Sequence, residues 1–110
     1  MRAIAVTPAE KKIGVIDLAE PAISSPTDVK LRMIEAGVCG TDKEICAFEY
    51  GTPPPGSRDL VIGHESLGEV IEIGAKVTRV KVGDFVVPMV RRPCPPTTKG
   101  IDPCAGSIAF

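Results

Sequence analysis

The chain has 110 residues, 44% hydrophobic and 25% charged, with a formal net charge of −1. That balance excludes a wholly disordered chain and offers no cationic footprint for nucleic acid or an anionic membrane. Aromatics at 4% exclude a base-stacking surface, and no apolar run reaches the roughly 20 residues that cross a bilayer.

Strand patterns dominate along the chain. The opening RAIAV alternates, and KKIGVIDL follows after a short polar turn. The apolar part of MRAIAVTPAEKK is too short for an export signal, so the cytoplasm is the expected location. EPAISSPTD reads as a loop from its prolines and serines. VKLRMIEAGV sets Val29, Leu31 and Met33 against Lys30 and Arg32, the pattern of a strand with one wet face. One short helix is predicted, over Thr41 to Phe48, with Thr41 and Glu44 as a capping box. EYGTPPPGSRD is then a loop, and SLGEVIEIG and DFVVPMV are further strands, the last with Pro88 marking an edge or a bulge. GAKVTRVKVGD between them supplies turns. Short strands with frequent Gly and Pro turns predict a mainly β fold, a barrel or a sandwich.

Cys39, Cys46, Cys94 and Cys104, without an export signal, point to metal ligation or burial rather than disulfides. The chain has one histidine, His64, followed by Glu65. Cysteine, histidine and carboxylate are the ligand types zinc takes, and three protein ligands with an open position is its catalytic arrangement. Cys39 and His64 lie far apart in the sequence, so two turns at neighbouring strand ends must bring them together. Each residue also has a plainer reading: a small buried thiol, a hydrogen-bonded imidazole, a helix cap at Thr41. Successive strand residues face opposite ways, so His64 and Glu65 can meet one ion only if the backbone bends, and Gly63 permits the bend.

GVCGTD, GHESLGEV and GAKVTRVKVGDFVV, in that order, resemble the successive signatures of the zinc-dependent medium-chain alcohol dehydrogenase family. GTDKEI with VVPMVRRPC is most similar to its glucose and aldose dehydrogenase branch, with threonine and polyol dehydrogenases as near alternatives. The resemblance runs from residue 1 to about residue 92 and implies a GroES-like, partly open β-barrel with one short helix. It implies Cys39, His64 and Glu65 as ligands of a catalytic zinc, and Thr41 as the hydroxyl that contacts the substrate alcohol and relays its proton. It also implies NAD or NADP as hydride acceptor, a small alcohol or sugar as substrate, and homo-oligomers among full-length relatives. A thiolate suits the start of a helix, where unpaired amides carry partial positive charge.

The chain departs from that family in two ways. Relatives with a structural-zinc lobe carry four closely spaced cysteines, whereas residues 93–110 hold only Cys94 and Cys104, weak remnants of such a site. No G-x-G-x-x-G follows any strand, so the expectation is an amino-terminal catalytic portion, residues 1–92, truncated before the Rossmann cofactor domain. Two other readings stay open: a GroES-like barrel that holds no zinc, and a small zinc protein using all four cysteines.

Overall fold

The computed structural model describes residues 1–89. The elements run β1 (Arg2–Thr7), a 3-10 turn (Pro8–Glu10), β2 (Lys12–Asp17), β3 (Val29–Gly37), α1 (Gly40–Cys46), β4 (Leu60–Val61), β5 (Glu65–Ile73) and β6 (Phe85–Val86). They form two three-stranded sheets, ordered β2-β1-β4 and β3-β5-β6, with every pairing antiparallel. The mainly β expectation with one short α-helix holds. Cys94, Cys104 and the expected division at residue 92 lie outside the described residues.

β1 and β2 form a hairpin whose register pairs Ile4 with Val15 and Val6 with Ile13. Its connection is the 3-10 turn, closed by Lys11 at φ 49 with its amide bonded to the Pro8 carbonyl at 3.2 Å. On the other edge of β1 the two residues of β4 pair with Ala5 and Val6. Sequence patterning misses β4, because two paired residues leave no period to read.

The core is small. Val6 at 0% exposure, Ile45 and Leu60 form its centre, with Cys46, Phe48 and Ile62 packed against them. Burying side chains of this size stabilises by about 1.5–3 kcal/mol each. A seven-residue helix is marginal in water on its own, so α1 depends on Ile45, which seats it over β1 and β4. The chain leaves the helix with Phe48 in the left-handed region at φ 62. That position usually takes glycine; here the phenylalanine ring packs against the core instead.

The β3–β5 ladder is long and irregular. It pairs Val29 with Ile73 at one end and Gly37 with Glu65 at the other, and it shifts register between Lys30 and Leu31 and between Met33 and Glu35. The expected wet and dry faces of β3 are not observed. The Lys30 side chain is only 17% exposed and bonded to Glu20, whereas Met33 is 51% exposed. The two shifts leave Ile71 and Ile34 unpaired, and each extra residue turns the side chains beyond it to the opposite face. β6 stops at Val86, short of the stretch expected from DFVVPMV and before Pro88, which has no amide to give a ladder. The turn before β6 is tied by Asp84, whose carboxylate accepts from the Lys81 amide (3.0 Å) and ammonium (2.9 Å). Those two donors hold the Asp84 carboxyl below the ordinary carboxylate range.

Candidate metal centre

The β3–β5 register is what assembles the site. Its last rung joins Gly37 to Glu65. Cys39 follows Gly37 by two positions and His64 precedes Glu65 by one, so a single rung brings both turns together. The separation in sequence is closed by the ladder.

Cys39 is the N-cap of α1, with extended backbone at φ −110 and ψ −177. Its sulfur accepts from the Thr41 amide at 3.3 Å, and its own amide donates to Asp42 Oδ2 at 2.9 Å. This is a reciprocal cap of the kind expected, but displaced. Cys39 and Asp42 form it rather than Thr41 and Glu44, and the helix spans Gly40–Cys46 instead of Thr41 to Phe48. The thiol takes the place of the usual hydroxyl, and Asp42, being shorter than Glu44, sits under the first turn at 2% exposure. Thr41 therefore lies in the first turn and is not its cap.

His64 lies immediately after Gly63, whose φ of +115 is open to glycine and strained for other residues. β5 begins one residue later, at Glu65. The bend at Gly63 takes the imidazole off the strand, so His64 and Glu65 are not held to opposite faces. His64 Nε2 lies 3.1 Å from Cys39 Sγ. The candidate ligand atoms of Cys39, His64 and Glu65 all lie within 4.8 Å of one another. The sulfur and the imidazole are half-buried, and Glu65 reaches in from the exposed side.

The donor set fits zinc. One sulfur, one imidazole nitrogen and one carboxylate oxygen match its ligand types, and tetrahedral bonds of about 2.0–2.3 Å place such atoms about 3.6 Å apart. Cys39 and His64 would separate by about half an ångström to admit an ion of that size.

A further residue stands behind the imidazole. Asp42 Oδ1 faces His64 Nδ1 at 3.3 Å, with side chains 3% and 14% exposed. Alignment falls short of a hydrogen bond, and Oδ1 is otherwise a buried oxygen without a partner. A rotation of the ring that brought Nδ1–H into line with Oδ1 would complete the bond. A proton on Nδ1, held by this carboxylate, leaves the Nε2 lone pair directed at Cys39 and the cluster. Sequence reasoning missed this role; the signal was the aspartate three residues after the cysteine, which places it on the inner side of the first helical turn. The Thr41 hydroxyl has no hydrogen-bond partner among the described residues.

Residues 25–109 match the family model described as the alcohol dehydrogenase GroES-like domain. The chain belongs to that family. It is 49% identical over 94 residues to glucose 1-dehydrogenase 1 of Vulcanisaeta moutnovskia, covering 84% of this chain and 26% of that protein. Haloferax mediterranei glucose dehydrogenase, solved with NADP, Zn and gluconolactone, superposes with a TM-score of 0.71 at 41% identity, covering 84% of this chain and 25% of that one. The alcohol dehydrogenase TADH of Thermus sp. ATN1 gives a TM-score of 0.71 at 30% identity, over 86% and 26%. These matches place the chain in the zinc-dependent medium-chain alcohol dehydrogenases, with glucose dehydrogenases as relatives. It spans about a quarter of the length of these proteins. Among its described residues no helix is long and apolar enough to cross a membrane.

Proposed function

We propose that this chain is the zinc-holding, alcohol-binding part of an NAD(P)-dependent sugar dehydrogenase of the glucose 1-dehydrogenase kind. The convergence of Cys39, His64 and Glu65 within 4.8 Å carries the reading. It is supported by the glucose dehydrogenases among its relatives and by the zinc, NADP and gluconolactone of the Haloferax structure.

In this reading Cys39, His64 and Glu65 hold the ion, and Asp42 keeps the proton of His64 on Nδ1. When bound, zinc supplies a Lewis acid that makes an alcohol proton easier to lose near neutral pH. Thr41, two residues past Cys39, relays that proton: Oγ1 accepts it while the hydroxyl's own proton passes to solvent water. Its backbone amide is committed to the Cys39 sulfur, so the side chain stays anchored beside the ligand while the hydroxyl remains free to act. These 110 residues contain no G-x-G-x-x-G, so no nicotinamide-binding role is assigned to any of them.

Metal analysis of the purified chain tests the assignment. The expected result is about one zinc per chain, lost in Cys39→Ala and in His64→Ala. Equal metal in all three proteins, or none in the unaltered chain, overturns it.

A further inference from the structure

We infer that Gly37 is a positioning residue for the Glu65 carboxylate, keeping it beside Cys39 and His64 by leaving empty the space a β-carbon would take. The inference rests on the zinc reading above and concerns a residue to which that reading gives no part.

Gly37 ends β3 and faces Glu65 across the last rung of the ladder. Its backbone is not in the left-handed region, so conformational freedom does not explain the glycine. Space does. A β-carbon at this position would lie 3.2 Å from Glu65 Cβ, 3.2 Å from Glu65 Oε2 and 3.4 Å from the Glu65 carbonyl oxygen. All three nearest atoms belong to one residue. Cross-strand β-carbons ordinarily stand about 4.5–5.5 Å apart, so this rung cannot carry two ordinary side chains. Gly68, further along β5, differs: the nearest atoms to its β-carbon are on Leu31 and the Arg32 carbonyl, none of them on a candidate ligand.

A methyl group at position 37 must displace something. The ladder fixes the backbone on one side and the Cys39 cap, two residues on, fixes it on the other. The Glu65 side chain is the softest element: it is exposed and rotates into solvent, which clears Oε2, while the contacts with Cβ and the carbonyl oxygen need a few tenths of an ångström of give at the strand end. That rotation removes Oε2 from the sulfur and the imidazole and leaves two protein ligands where a catalytic zinc site uses three.

The test measures zinc affinity by competition with a chromophoric chelator, and the visible absorption of the Co²⁺-loaded chain, for Gly37→Ala, Glu65→Gln and the double variant. The expected result is a loss of about tenfold or more in each single variant, no further loss in the double variant, and a Gly37→Ala cobalt spectrum that matches Glu65→Gln. Wild-type affinity and spectrum in Gly37→Ala, with Glu65→Gln weakened, overturn the inference and leave the zinc reading standing. Wild-type affinity in Glu65→Gln also overturns it, while Cys39 and His64 keep their roles. No binding by the unaltered chain sinks both. Where Gly37→Ala does not fold, Gly37→Ala/Glu65→Gly moves the glycine to the opposite strand. Recovery of the native circular dichroism then supports the inference, and continued unfolding overturns it.

Discussion

Asp42→Asn separates what this residue does for the helix from what it does for the imidazole. In the wild type, Oδ2 accepts from the Cys39 amide at 2.9 Å while Oδ1 faces His64 Nδ1 at 3.3 Å. An asparagine of the same shape can keep its oxygen on the Cys39 amide, which preserves the cap, but its NH2 group must then point at His64 Nδ1. An NH2 donor cannot hold a proton on Nδ1; it favours the other tautomer, with the proton on Nε2, where the ion belongs. Losing such a partner costs about 10–100-fold in metal affinity, or about 1.4–2.7 kcal/mol. The flipped amide restores the acceptor for His64 but sets two donors together at Cys39, so neither orientation matches the carboxylate. Asp42→Ala loses the cap as well, a further cost of about 1 kcal/mol in fold stability. Zinc titration and urea unfolding of the two variants read these effects separately. Zinc affinity in Asp42→Asn equal to wild type would refute the argument that this carboxylate sets the tautomer.

Three other outcomes follow from the packing. Val6→Ala, at a residue with 0% exposure in the centre of the core, should cost about 2 kcal/mol in urea unfolding. A cost under about 0.5 kcal/mol would show that this cluster does not hold the fold. Gly51→Ala combines a positive φ of +95 with a β-carbon 2.7 Å from Leu60 Cδ2 and 3.3 Å from Ile45 Cγ1, and should destabilise by about 2–4 kcal/mol from strain and overpacking together. A thermal midpoint equal to wild type would contradict it. The Asp84 carboxyl, held down by Lys81, adds stability that is present above its ordinary pKa of 3.8 and is lost as pH falls through its lower folded value. Carbon-detected NMR should find its midpoint below that of Asp84 in the Lys81→Ala variant, which loses the ammonium donor; equal midpoints would contradict the assignment.

How much could be read in advance depended on whether a feature was periodic or local. β1, β2 and β5 were legible because each holds a run of apolar and β-branched residues long enough to mark a strand. β4 was not, since two residues in LVI show no period, and it is a strand only because Ala5 and Val6 offer it an edge. The faces of β3 misled because its register shifts at Ile71 and Ile34 depend on its partner strand, and no pattern within β3 records them. At the candidate site, the bend at Gly63 was legible from the chemistry that His64 and Glu65 would need. The cap was misplaced by two residues, because a serine or threonine is the usual signal for one and here a cysteine serves.

The amino-acid sequence alone determined which donor atoms the chain possesses: one imidazole, a thiol at the foot of a short helix, and a carboxylate beside the imidazole. Their types follow from residue identity, and the glycine that lets two of them converge is a local property of the backbone. Only the tertiary structure decided that the thiol and the imidazole meet at 3.1 Å, that Asp42 rather than Glu44 turns inward beneath the helix, and that Gly37 makes room for Glu65. These depend on the rung between Gly37 and Glu65, a contact between distant parts of the chain whose register is set by the packing of whole strands.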